Sequence, residues 1–99
     1  MTASPCVVAL VQINNSFSGQ NYLPFVAGLL QRYVECNAPD PDRYRFLLPI
    51  YRRTPVRDAV ASLEGANVVG FSTYVWNGRI SLEIARRLKQ NNPETVIIF

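Results

Sequence analysis

Residues 6–13 read CVVALVQI, a continuous apolar run that is rich in β-branched side chains. Such a run is typical of a strand that is covered on both faces, as strands in a parallel sheet are. Three later stretches are also strand-like, namely residues 44–51 (YRFLLPIY), 68–74 (VVGFSTY) and 95–99 (TVIIF). Pro49 cannot donate a ladder hydrogen bond, so the stretch that contains it is predicted to be an edge strand.

Helical patterns separate the four predicted strands. Apolar side chains recur at helical spacing over residues 26–34. A short second helix is predicted to begin at the N-cap Thr54 and to end at Gly65. Asn77 is predicted to cap a third helix over residues 78–90.

The resulting order is βαβαβαβ, which predicts an α/β fold with a doubly wound, Rossmann- or flavodoxin-like parallel sheet. The expected strand order is 2-1-3-4, with a ligand crevice at the carboxyl ends of strands 1 and 3. With 99 residues the chain has room for one domain. Neither a helix nor a fifth strand follows the apolar stretch 95–99, so we expect a domain spanning 1–99 that is truncated before its last βα unit. The alternative is a complete small protein that dimerises through this strand.

Composition excludes several classes of function. The chain has no histidine, which excludes Ser-His, Cys-His and His-metal chemistry within it. Cys6 and Cys36 lie far apart without a CxxC motif, and reduced thiols of this kind predict a cytoplasmic protein. The net charge of +3 comes from scattered arginines without a basic stripe, so no nucleic-acid partner is expected. No apolar run approaches the roughly 20 residues of a membrane span, so no membrane partner is expected.

The loops that follow strands 1 and 3 decide which ligand the crevice could hold. Residues 12–22 contain neither the GxGxxG of a dinucleotide site nor the GxxxxGK[ST] of a P-loop. Asn14 and Ser72 stand where a receiver domain would have acidic residues. Together with residues 72–77, these loops offer neutral amides, hydroxyls and flat aromatic rings. That chemistry favours a large, amide-rich and partly apolar ligand.

The same residues carry a resemblance to a known family. Residues 68–77 (VVGFSTYVWN), followed by LEIARRLK at 82–89 and by Asn92-Pro93, resemble the cobalamin-binding domain of B12-dependent radical SAM enzymes. Residues 11–17 (VQINNSF) are similar to class B methylases of that group, in particular to those acting in carbapenem antibiotic biosynthesis. The resemblance covers essentially the whole chain and implies a radical SAM domain downstream of it.

The resemblance also implies roles for individual residues. The wider B12-binding family has a Ser-x-Leu turn after strand 3, which residues 72–74 match with tyrosine in place of leucine. Ser72 would then hydrogen-bond the dimethylbenzimidazole tail of cobalamin. The family's DxHxxG motif is only partly matched by residues 14–19, where Asn14 replaces aspartate and Ser16 replaces the histidine ligand.

The implied cobalamin-binding residues are therefore the side chains of the two loops. They are Gln12, Asn14, Asn15, Ser16, Tyr22, Ser72, Thr73, Tyr74, Val75, Trp76 and Asn77. By the same resemblance, Trp76 lies against the lower face of the corrin, and no residue ligates cobalt. Our hypothesis is that the indole holds cobalamin base-off without a strong lower ligand, which stabilises cob(I)alamin and favours homolytic methyl transfer.

For the full-length enzyme the resemblance implies a B12-dependent radical SAM C-methyltransferase that methylates an unactivated carbon of a small molecule. Its cofactors would be methylcobalamin, S-adenosylmethionine and a [4Fe–4S] cluster, with no catalytic residue in the present chain. Two alternatives stay open. Trp76 could be core filler, with Asn14 and Asn15 as ordinary turn residues, and the domain could be a non-catalytic flavodoxin- or receiver-like binding module.

Overall fold

The fold is a parallel sheet with helices, seen in a computed structural model that describes residues 4–14, 16, 17, 20, 21 and 23–99. Of residues 16, 17, 20 and 21 only the backbone is described. The strands are β1 (Cys6–Val11), β2 (Ser16–Phe17), β3 (Gln20–Asn21), β4 (Tyr44–Phe46), β5 (Val68–Phe71) and β6 (Val96–Ile98). The helices are α1 (Phe25–Asn37), α2 (Val56–Ser62) and α3 (Gly78–Asn91), with a 3₁₀ turn at Pro41–Arg43.

The main sheet has the order β4-β1-β5-β6, and all of its neighbouring strands are parallel. This is the predicted 2-1-3-4 order of a doubly wound α/β fold, which is therefore confirmed. Strand β1 lies at the centre, where Val8 is aligned with Phe46 on one side and with Val68 on the other. The loops after β1 and β5 consequently leave the same edge of the sheet next to each other.

The strands are shorter than the sequence pattern predicts. The predicted second strand ran to Tyr51, but β4 ends at Phe46 and pairing with β1 resumes only as a single bridge between Val11 and Ile50. Pro49 lies in this gap, where its missing N–H breaks the ladder of an edge strand. The cluster of turn-formers after β1 was expected to be a loop, but it contains the short antiparallel pair β2–β3.

One face of the sheet is packed against α2 and α3. Inward side chains of β1 and β5 alternate there and are almost fully buried, for example Ala9 (0% exposed) and Val69 (0% exposed). Helix α3 contributes Ile84 and Leu88, which its four-residue spacing predicted to share one face. The core thus lies between the sheet and these two helices.

Helix α1 lies along the other face and is covered much less. Its apolar side chains recur at helical spacing, yet Ala27 is the buried residue of this helix, and Leu29 and Tyr33 are 54% and 68% exposed. A cavity of about 420 Å³ separates α1 from β1 and β5. The periodicity identified the helix correctly, but periodicity does not determine how closely a helix approaches its sheet.

Candidate functional site

Most of the sequence-predicted site residues lie at the carboxyl edge of β1 and β5. Gln12 and Asn14 follow β1, and the turn 72–77 follows β5 and leads into α3. The two loops are in direct contact, since the Ile13 carbonyl accepts hydrogen bonds from side chains of the second loop. The structure therefore brings these two groups of predicted residues together.

Asn77 connects the two loops and is fully buried (0% exposed). Its Nδ2 donates to the carbonyl oxygens of Ile13 and Ser72, both at 2.9 Å, and its Oδ1 accepts from the Tyr74 N–H at 2.7 Å. It is the N-cap residue of α3, as predicted, but its side chain makes no capping bond to that helix. All of its amide atoms are engaged within the protein, so its role in the site is to hold the loops.

Trp76 is held at three points and is still partly exposed (43%). Its indole Nε1–H donates to the Ile13 carbonyl oxygen at 3.2 Å. The ring of Tyr74 stacks on the indole with centroids 4.6 Å apart and planes 9° apart. Arg53, from the loop between β4 and α2, donates from Nη2 to the Trp76 backbone carbonyl. A half-exposed indole that is fixed in this way is suited to contacting a flat ligand.

Gln12 has a structural role that its position in the loop did not reveal. Its side chain is buried (7% exposed), and its Oε1 accepts from the backbone N–H of Ala27 at 3.1 Å. The first N–H groups of a helix have no partner within the helix, so Gln12 satisfies one of them for α1. The N-cap residue Pro24 makes no side-chain capping bond. Gln12 thereby joins the end of β1 to the start of α1.

Ser72 lies at the rim of the cavity between α1 and the sheet. The cavity is lined almost entirely by apolar side chains, namely Val8, Leu10, Val11, Val26, Ala27, Leu30, Val68, Phe71, Ile98 and Phe99, with Gln12, Gly70 and Ser72 completing it. At Gly70 an ideal Cβ would lie 3.2 Å from Leu10 Cδ2, so a larger side chain there would crowd this cavity. The result is an apolar slot with a hydroxyl and an amide at its edge.

The remaining predicted residues are less informative. Thr73 is exposed, and Val75 is 102% exposed at the tip of the turn. Asn14 is half-buried, with its backbone N–H on the Tyr51 carbonyl at 3.1 Å and its Nδ2 on the Leu23 carbonyl at 3.4 Å. For Ser16 the backbone lies in β2. Asn15 and Tyr22 fall outside the described residues.

Two groups that shape the site were not predicted from the sequence. Ile13 acts through its backbone carbonyl, which no side-chain pattern can indicate. Arg53 is one of the scattered arginines of the sequence, and only the approach of its loop to the turn 72–77 explains its contact with Trp76. The adjacent Arg52 instead lies over the ring of its neighbour Tyr51, 5.4 Å from the ring centroid.

In the part of the chain that the structure describes, no group of three or more His, Cys, Asp or Glu side chains could hold a metal ion. None of the helices described there has the length and hydropathy needed to cross a lipid bilayer. Cys6 and Cys36 are both free. Residues 12–14 and 72–77 carry hydrogen-bonding groups and aromatic rings without charge, and Arg53 brings a guanidinium to the Trp76 carbonyl.

Comparison with known proteins gives two relatives of similar identity. Over 77 residues, or 78% of its length, the chain is 31% identical to the cobalamin-dependent radical SAM methyltransferase TokK of Streptomyces tokunonensis. Over an equal span it is 32% identical to 2-(S-pantetheinyl)-carbapenam-3-carboxylate methyltransferase of Streptantibioticus cattleyicolor. No protein-family model matches the chain. The matched segment spans 11% of each relative, so the chain is similar to a small part of two methyltransferases.

Proposed function

We propose that this chain is part of a cobalamin-binding domain and that it binds cobalamin at the carboxyl edge of β1 and β5. The observation that carries the proposal is the joint placement of a half-exposed, fixed indole and of Ser72 at the rim of an apolar cavity. The similarity to a cobalamin-dependent methyltransferase supports it independently. Ligands of parallel α/β sheets bind at this edge in general.

The cavity beside β5 fits the aromatic tail of cobalamin. Dimethylbenzimidazole is flat and apolar with a nitrogen at one edge, and the cavity is apolar with the Ser72 hydroxyl at its rim. We propose that Ser72 donates a hydrogen bond to that nitrogen, and that Gly70 leaves room for the ring. Burying a ring of this size against apolar side chains contributes a large part of the affinity.

For Trp76 we propose contact with the lower face of the corrin. An indole offers no lone pair to cobalt, and the turn 72–77 contains no His, Cys, Asp or Glu side chain. The side chain would therefore exclude water from that face and supply no axial ligand. Thr73, Val75 and Asn14 belong to the same two loops and would contact the corrin periphery, while Asn77 and Gln12 hold the loops in place.

The activity of the whole protein is the further part of this proposal. We propose that it belongs to a radical SAM C-methyltransferase that uses S-adenosylmethionine and a [4Fe–4S] cluster and acts on an unactivated carbon of a small molecule. When bound, methylcobalamin would supply the methyl group in such a reaction. The contribution of the present residues is to bind and orient that cofactor.

Hydroxocobalamin binding tests the proposal directly. The protein is mixed with hydroxocobalamin, passed over a gel-filtration column and scanned in the visible range. We expect the cofactor to co-elute with shifted absorption bands. Free cofactor that elutes separately would contradict the proposal, and a protein that is yellow as purified would favour the flavodoxin-like alternative.

Two variants test the assigned residues. Ser72→Ala is expected to weaken cobalamin binding roughly three- to tenfold, which is the loss of about one hydrogen bond. Ser62→Ala is the matched control, because its hydroxyl lies on α2 and donates to the Asp58 carbonyl. Trp76→His places an imidazole where the indole stood, and is expected to change the absorption spectrum of bound cobalamin. An unchanged spectrum would argue against contact between this residue and cobalt's lower face.

A further inference from the structure

The Tyr74 ring covers one face of the Trp76 indole. The two rings are nearly parallel, with centroids 4.6 Å and planes 9° apart, which is the geometry of an offset stack in contact. Both side chains are partly exposed, Tyr74 at 36% and Trp76 at 43%. The pair therefore forms a double layer at the surface, with one indole face against tyrosine and the tryptophan still 43% exposed.

The backbone of Tyr74 is itself fixed by a buried residue. Its N–H donates to Asn77 Oδ1 at 2.7 Å, and its carbonyl accepts from the Asn77 N–H at 3.2 Å. Asn77 is fully buried, so this reciprocal pair closes the turn and fixes the backbone from which the Tyr74 ring projects. The ring itself is placed by its stack on the indole.

The indole is also restrained at its edge and its backbone. The indole Nε1–H donates to the Ile13 carbonyl, so the ring cannot turn over unless this hydrogen bond breaks. The Arg53 side chain donates to the Trp76 carbonyl and so restrains the backbone of the turn. With these two restraints, Tyr74 is the group that determines which indole face is covered.

We propose that Tyr74 is a positioning residue for Trp76 that does not itself touch the cofactor: its ring covers one indole face and thereby presents the other face to the corrin. This inference rests on the proposed cobalamin-binding function. It replaces a direct cobalamin contact for Tyr74, which the sequence resemblance implied. The phenol hydroxyl has no part in it, since the stack uses only the ring.

Trp76 is the only tryptophan of the chain, so its fluorescence reports this stack without any cofactor. Acrylamide quenching is measured for the wild type, Tyr74→Phe, Tyr74→Ala and Tyr74→Leu, with far-UV circular dichroism as the test of folding. We expect quenching to rise about twofold in the alanine and leucine variants, since the covered face becomes open, and to stay at the wild-type value in Tyr74→Phe. Tyr33→Ala is the control, because this tyrosine lies on α1 and is 68% exposed.

The same proteins are then titrated with hydroxocobalamin. Tyr74→Ala and Tyr74→Leu are expected to bind roughly two- to tenfold more weakly, with bands shifted part of the way towards free cofactor, while Tyr74→Phe restores both affinity and spectrum. Leucine separates loss of the aromatic ring from loss of bulk if the alanine variant unfolds.

The outcomes are distinguishable. If the wild type binds no cobalamin, the proposed function fails, and this inference fails with it. If the wild type binds cobalamin but Tyr74→Leu changes quenching without changing the bound spectrum, only the positioning role is overturned. A changed spectrum with unchanged quenching would also overturn it, because tyrosine would then act on the cofactor directly.

Discussion

Replacing Asn77 by alanine is expected to destabilise the protein strongly, although the residue lies at a loop. The substitution removes three hydrogen bonds, to Ile13, Ser72 and Tyr74, from a side chain that is 0% exposed. A net contribution of about 1 kcal/mol for each bond gives a loss of about 3 kcal/mol. The Tyr74 N–H and the Ser72 carbonyl would then lack these partners, which adds to the cost when such groups are buried. Total stability of a small domain is roughly 5–15 kcal/mol, so the loss is a large fraction of it.

Urea denaturation followed by far-UV circular dichroism measures this loss. We expect a lower midpoint with an unchanged slope, because the substitution alters stability and not the surface exposed on unfolding. Asn92→Ala is the matched control. Its Oδ1 accepts from the Glu94 N–H at an exposed position, and its removal is expected to cost no more than about 1 kcal/mol. A loss below about 1 kcal/mol for Asn77→Ala would refute the view that this amide joins the two loops.

Three further predictions concern the helices and the turn that follows α2. Gly65 has φ of 85°, so Gly65→Ala is expected to lower the free energy of unfolding in urea by about 1 kcal/mol. Gly28 lies within α1, and Gly28→Ala is expected to raise the free energy of unfolding by up to about 1 kcal/mol. Equal effects of the two substitutions would contradict this prediction. The Ser81 hydroxyl is buried and has no hydrogen-bond partner among the described residues. Ser81→Ala is therefore expected to raise the melting temperature or leave it unchanged. A clear decrease would show that the hydroxyl has a partner. Hydrogen bonds from Arg86 and then from the arginine that follows it lower the pKa of Glu83 from 4.5 to about 2. The stabilisation from these ion pairs is present above pH 4.5 and is lost as the pH falls towards about 2. The difference in melting temperature between wild type and Glu83→Gln is therefore expected to fall to zero over that range. A difference that stays constant with pH would refute the prediction.

The order and type of the main elements could be predicted because they follow from local patterns. Buried parallel strands are continuous apolar runs, and the four-residue spacing of Ile80, Ile84 and Leu88 marks the inward face of α3. Strand ends were predicted less well. Residues 72–74 have strand-like side chains, but the last ladder bond runs from the Ser72 N–H to the Val11 carbonyl at 2.8 Å. Beyond it the chain turns, and Asn77 bonds to Ser72 and Tyr74.

The partners of the site residues depend on contacts between distant parts of the chain. The resemblance implied a cobalamin contact for Gln12, and the structure shows its side chain accepting a hydrogen bond from the start of α1. Nothing in the sequence indicates that Arg53 reaches Trp76 across 23 positions. Such contacts arise only when the sheet has brought its loops together.

The peptide unit between Ile13 and Asn14 links the loops at the carboxyl edge of the sheet. Its carbonyl accepts from both Trp76 and Asn77, while its N–H donates to the Tyr51 carbonyl, so one rigid plane links three separate crossovers of the chain. Hydrogen bonds in series polarise and strengthen one another. A ligand that binds at this edge would meet groups that are already held in position. Little of its binding free energy would therefore be spent on ordering the protein.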